Sequence, residues 1–198
     1  MKQTLWQESI IYDSVKNENI SLRIKKLLDE CKKKNNSVKK SNVEGFQTQP
    51  LTDPILSKQL LHWSADLIKK EYVIKPNIKM DMTLNNFWIN ENYKHSYNVS
   101  HTHPGAHLSG VYYLEVPENS GNIFFEDSNK QFVNLQNFFE GEDFNSYYTV
   151  NNYNNQLIIF PSNISHGVQK SLSNQPRISV SFNLILQYEI KNAIKTHD

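Results

Sequence analysis

From Ile78 onward the chain breaks into short β-rich runs closed by turn-forming residues, and this spacing limits the folds open to it. The runs favour Val, Ile, Tyr, Phe and Thr, while Gly, Pro, Asn and Asp fall between them. The pattern predicts strands near 78–90, 96–102, 109–116, 122–125, 130–134, 146–150, 156–160, 165–170 and 177–188. Breakers lie at Pro104-Gly105, Pro117 to Gly121, Asp127 to Asn129, Asn151 to Asn155, Pro161 to Asn163 and Ser171 to Pro176. Short strands with no helices between them do not build a parallel α/β sheet. They point to a mainly β sandwich or jelly roll.

The first 75 residues read differently. Ile20, Ile24, Leu27, Leu28 and Cys31 recur at helical spacing, with Asn17 or Asn19 as the cap. A second helix is expected from Asp53 or Pro54 to about Tyr72, burying Ile55, Leu56, Gln59, Leu60, Trp63, Leu67 and Ile68. Both helices should pack outside one sheet, giving one domain over 1–198 with a helical part (1–75) and a β core (76–190). At 198 residues such a chain buries roughly 70% of its unfolded surface and needs no staples.

Charge and cysteine content exclude several roles. A net charge of +1 provides no general attraction to nucleic acid or an anionic membrane. Cys31 is alone, so neither an internal disulfide nor a four-thiolate metal site exists. Lys25, Lys26, Lys32, Lys33, Lys34, Lys39 and Lys40 form a basic stretch. Its ordinary reading is a solvated helix face and tail, and a phosphate-binding patch is the alternative. With no apolar run near the roughly 18 residues of a membrane span and no secretory hydrophobic region, an intracellular, cytoplasmic protein is expected. Richness in Asn, Lys and Ile fits an AT-rich genome, cellular or viral.

Three of the seven histidines crowd into His101-Thr102-His103-Pro104-Gly105-Ala106-His107. In a strand, residues i and i+2 face the same way about 6.5–7 Å apart, so two imidazoles can lean on one ion. Imidazole suits iron, zinc, copper and nickel, so the pair indicates a transition metal without naming it. His-x-His alone also describes exposed or merely hydrogen-bonded histidines.

The other half of the pattern lies downstream. Gln156 to Phe160 reads as a buried strand, and His166 opens the next one. From Arg177 the alternation is clean: Arg177, Ser179, Ser181 and Asn183 share one face, and Ile178, Val180, Phe182 and Leu184 the other. Either the polar face meets water, or it lines an interior cavity while the apolar face packs under the helices. Periodicity leaves both open. If 165–170 and 177–184 form a hairpin, Arg177 lies two to four residues from His166, roughly 7–13 Å. The lower end suits a short dicarboxylic acid held by metal at one end and by the fork of a guanidinium at the other.

Taken together, these residues resemble the Fe(II)/2-oxoglutarate oxygenase superfamily, and within it a family from bacteria and phages that carries an HxHP motif. The resemblance runs through Ser41 to Gln47, Trp88-Ile89-Asn90, Asn98 to Pro104, Leu108 to Leu114, Ser120 to Ile123, and Phe160-Pro161 through His166 to Arg177 and Asn183. It implies a double-stranded β-helix, the cupin-like jelly roll, with Fe(II) held by His101, His103 and His166. It also implies that Arg177 takes the distal carboxylate of the cosubstrate 2-oxoglutarate, with Tyr113 and Ser179 assisting. Asn98 and Asn183 would face the cosubstrate or support the site. The implied reaction is hydroxylation with release of succinate and CO2.

His103 departs from the superfamily's usual pattern, where a carboxylate stands at this position beside two histidines. Three neutral ligands remove one negative charge from the site. His107 is an alternative ligand, and Glu126 or Asp127 an alternative carboxylate; His62, His95 and His197 read as surface or packing residues. The substrate, a small molecule or peptide, is not legible. Trp88, Tyr97, Tyr112 and the tyrosine-bearing loop 137–155 are candidate pocket borders, the loop as a lid. Two rival functions are a three-histidine dioxygenase without cosubstrate and a non-catalytic jelly-roll binding or structural module.

Overall fold

The computed structural model describes residues 8–34, 37–127 and 147–190. Helix α1 runs Glu18–Lys33, and the Asn17 side chain caps it by accepting from the Ile20 amide. Helix α2 runs Pro54–Glu71 with Asp53 as its cap and proline in its first turn, where a missing N–H is harmless. Asp53 also receives a two-pronged pair from Arg23 (2.6 and 2.7 Å), tying the helices together. The paired guanidinium holds the Asp53 carboxyl below its ordinary range. Ile55 faces out of α2, 55% exposed, against the sequence expectation. Its place on the buried side is taken by Ser64, because the stripe through Leu56, Leu60 and Leu67 is rotated away from it.

Eleven strands complete the described fold: β1 Ile11–Ser14, β2 Asn42–Val43, β3 Phe46–Gln47, β4 Ile78–Asn92, β5 Tyr97–His101, β6 Leu108–Glu115, β7 Ile123–Glu126, β8 Tyr147–Val150, β9 Gln156–Pro161, β10 His166–Val168 and β11 Arg177–Ile190. They form a six-stranded sheet, β1-β9-β6-β11-β4-β3, and a five-stranded one, β2-β5-β10-β7-β8. The pairings are antiparallel throughout. This is the jelly roll expected from the strand spacing. The strand expected at 130–134 and most of the loop 137–155 lie outside the described residues. Among the described residues, no helix is long and apolar enough to cross a membrane.

The period of two sorts side chains between two cores. Phe87, Ile89, Tyr112, Leu157, Ile159, Ile178, Val180, Phe182 and Leu184 face outward under Ile20, Ile24, Leu28, Leu56, Leu60 and Trp63 of the helices. Val111, Tyr113, Ile158 and Phe160 face inward and meet Ile123, Phe125, Val150 and Ile164 between the sheets. Gly110 sits opposite Phe182 in the ladder, and a side chain there would collide with the phenyl ring.

One expectation fails. β10 and β11 do not form a hairpin: β10 pairs with β5 and β7, whereas β11 pairs with β4 and β6. The connecting segment crosses from one sheet to the other. Backbone bonds from Ser171 to the Ser96 carbonyl (2.9 Å) and from Leu172 to the Asn119 carbonyl (2.8 Å) hold it on the way.

Candidate metal and cosubstrate site

His101 ends β5 and His166 opens β10, directly beside it in the ladder. His103 follows two residues after His101, its amide donating to the Ser162 carbonyl at 2.9 Å. Pro104 and Gly105 then turn the chain away, Gly105 at φ +88°, a conformation that suits glycine. The three rings lie 4.5–5.1 Å apart, centroid to centroid. Their donor nitrogens all fall within 4.8 Å of one another, and among the described residues only this group meets the geometry for holding a metal ion.

Each flanking bond helps aim a ring. His101 Nδ1 lies 2.8 Å from the Val99 carbonyl and His166 Nδ1 2.9 Å from that of Ile164. A carbonyl can only accept, so both rings carry their proton on Nδ1 and leave Nε2 as the free donor. Phe160 lies edge-on to His166 at 4.6 Å, and Trp88 is tilted against His103 at 5.6 Å. Burial disfavours the charged form of all three, lowering His101, bringing His103 to about 4 and His166 to about 3. They are neutral imidazoles at pH 7, the state that ligates a metal.

The histidines occupy one end of a cavity between the sheets, and Arg177, Ser179 and Tyr113 line it from the opposite sheet. Arg177 is 1% exposed. Its Nη1 donates to the carbonyls of Ser120 (2.7 Å) and Gly121 (2.6 Å), while its buried Nε has no partner. No carboxylate among the described residues forms an ion pair with it. Burial alone pushes the guanidinium down from its ordinary range, and pushes the Tyr113 hydroxyl up to about 12. Burying a charge without a counter-charge carries an effective penalty of roughly several kcal/mol. Such a group is therefore poised for an anion, and the three imidazoles for a metal. The donor set fits both groups.

The remaining expected residues divide. Asn98 lines the same cavity, its amide donating to Ser41 Oγ at 3.1 Å. Asn183 lines a neighbouring cavity and is held by Ser109 (2.8 Å) and Asn86 (2.9 Å). His107 is exposed and accepts from the Leu186 amide at 3.1 Å, which turns it away from the cluster. Glu126 accepts from Ser165 at 2.7 Å and lies outside the group, as does Asp127. Trp88 borders the cavity, but Tyr112 sits in the helix-side core with its hydroxyl on Asn155. Tyr97 lines neither this cavity nor its neighbour, and His197 lies outside the described residues. Sequence reasoning missed Asn90, whose amide donates to Ser181, and the two carbonyls that grip Arg177. Strand parity with Trp88 could have found Asn90; the carbonyls have no side-chain signature.

Residues 86–183, which include all three histidines and Arg177, match the family model described as "Putative 2OG-Fe(II) oxygenase". The chain belongs to the 2OG-Fe(II) oxygenase superfamily. It is thus an enzyme that depends on iron and 2-oxoglutarate. No curated protein matches the sequence. Among solved structures it is similar to HygX from Streptomyces hygroscopicus with nickel and 2-oxoglutarate bound, at 11% identity and TM-score 0.61, covering 89% of this oxygenase and 82% of HygX. SnoK, a carbocyclase from nogalamycin biosynthesis, is similar at 10% identity and TM-score 0.63, with 96% and 85% covered. A prolyl-4-hydroxylase from Pseudomonas putida follows at 12% identity and TM-score 0.52, with 89% and 92% covered. At such identities the likeness speaks for the fold.

Proposed function

We propose that this oxygenase is a dioxygenase that hydroxylates a C–H bond of a small molecule or peptide and releases succinate and CO2. Iron and 2-oxoglutarate, when bound, supply the oxygen-activating chemistry, in which substrate, O2 and 2-oxoglutarate give hydroxylated substrate, succinate and CO2. His101, His103 and His166 would hold the iron through Nε2. Their Nδ1 bonds to main-chain carbonyls pre-orient His101 and His166, so little ordering remains to be done on binding. Arg177 would receive the distal carboxylate, with the Tyr113 and Ser179 hydroxyls beside it. Asn98 would support the inner wall and Asn183 the outer one. Phe160, Ile123 and Val168 line the cavity and keep water from the reacting centre.

One observation carries this reading: a fully buried guanidinium with a free Nε, in the same cavity as three neutral imidazoles. A diacid that chelates metal at one end supplies the missing anion at the other. The test is anaerobic calorimetry with Fe(II), with and without 2-oxoglutarate. Metal followed by metal-dependent 2-oxoglutarate binding supports the proposal. Metal binding alone would favour a three-histidine dioxygenase without cosubstrate, a reading encouraged by the lack of a carboxylate in the donor set.

A further inference from the structure

His101 and His103 also line a second, wider cavity of about 450 Å3, which shares Trp88 and Ser41 with the inner one. That volume lies in the range of small-molecule clefts, about 300–1,000 Å3. Its outer wall is the segment from Val38 to Pro50, and its floor is β4 around Asn86 and Trp88. We propose that this vestibule binds the oxidisable substrate, and that the substrate is a small polar molecule bearing a carboxylate or phosphate paired with Lys40. The proposal rests on the oxygenase reading of the inner site and adds the chemical class of what that site oxidises.

Charge is the first argument. Among the described residues, none that lines the vestibule is acidic, and Lys40 is the one lysine or arginine in its wall. Lys40 has no ion-pair partner among the described residues. The inner site adds to this. Ferrous iron, three neutral imidazoles and a 2-oxoglutarate dianion sum to zero, which leaves the Arg177 charge in excess. A carboxylate in place of His103 would have cancelled it. A cationic substrate therefore meets positive charge from both directions, and an anionic one is drawn in.

Hydrogen-bond capacity is the second. Asn86 uses its carbonyl oxygen to accept from Asn183, which leaves its amide N–H groups for a ligand. The Gln47 side-chain amide makes no hydrogen bond among the described residues either, though the residue is only 5% exposed. With the Lys40 ammonium these groups offer donors to an acceptor-rich molecule, and Trp88 adds a flat apolar wall beside His103. Lys40 is also well placed to serve. Its amide donates to the buried Asn42 side chain at 2.9 Å, and the Ser41 carbonyl accepts from Val99 at 3.0 Å. The main chain beneath the ammonium is thus fastened to β5, the strand that ends in His101.

The experiment uses matched sets that differ in charge: glucose 6-phosphate, glucose and glucosamine, and N-acetylglutamate, N-acetylglutamine amide and N-acetyllysine amide. Each is titrated by calorimetry into the full-length protein, both metal-free and loaded with Fe(II) and saturating 2-oxoglutarate without oxygen. The expected result is that an anionic member binds at least tenfold tighter than its neutral twin, and that the cationic twin binds weakest. Lys40→Glu should erase the preference and Lys40→Arg should keep it. The two sets separate a phosphate from a carboxylate as the recognised group. Affinity that ignores charge, no measurable binding by any anionic member, or a preference that survives Lys40→Glu overturns the proposal. Binding of 2-oxoglutarate to the unmodified protein, read in the same instrument, reports on the inner site separately. Its absence would sink the oxygenase reading without deciding the charge test.

Discussion

From Arg177 to Leu184 the two faces of β11 are both largely hidden from water and are chemically opposite. Ile178, Val180, Phe182 and Leu184 meet the helices and leave no polar atom to satisfy. Arg177 and Ser179, as deeply buried, face a cavity in which a guanidinium nitrogen has no partner, and Asn183 on the same face lines the neighbouring one. One strand thus carries a face built for stability and a face held short of satisfaction, separated only by parity. The lesson is that burial does not distinguish core from site; hydrogen-bond accounting does.

That contrast can be broken experimentally. His166→Ala, at the far end of the polar cavity, should reduce iron-dependent succinate production to background; retained turnover would remove this histidine from the site. Phe182→Ala, on the apolar face, should destabilise the fold by about 3–5 kcal/mol in urea denaturation, as deletion of a buried phenyl ring does. Arg177→Ala should weaken 2-oxoglutarate binding about 10- to 150-fold, for a charge-assisted contact of roughly 1.5–3 kcal/mol. Its denaturation midpoint should move less than that of Phe182→Ala. A larger stability loss at Arg177 than at Phe182 would mean that the polar face is structural after all.

The smallest expected effect is on pH dependence. An unperturbed imidazole begins to lose a metal to protons below about pH 6.5. Since burial brings His103 to about 4 and His166 to about 3, proton competition at these ligands starts only in that lower range. Burial lowers His101 as well, so cobalt titration followed by visible absorption should show affinity falling less from pH 7 to 5.5 than three ordinary imidazoles would give. A steep fall beginning near 6.5 would show that the rings are hydrated and ordinary.

Local periodicity made most of this legible. Helix stripes, strand alternation and the His101–His103 spacing are properties of neighbouring residues, and they were readable without coordinates. What failed was long-range. Successive strands pair or neighbour roughly two-thirds of the time, so a hairpin was the natural expectation for His166 and Arg177. The jelly roll places them on facing sheets instead. The two-residue strands β2 and β3 exist only through their distant partners, β5 and β4, and leave no pattern of their own. The carbonyls of Ser120 and Gly121 are main-chain groups, so no residue type announces them.

The crossing between β10 and β11 has a mechanical consequence. The imidazoles belong to one layer of the sandwich, and Arg177, Ser179 and Tyr113 to the other. A diacid spanning them would act as a rivet through both layers. Occupancy should then register far from the metal, as slower amide exchange in both sheets and a melting point that climbs with the logarithm of 2-oxoglutarate concentration. Parting of the layers would loosen metal and cosubstrate in a single motion.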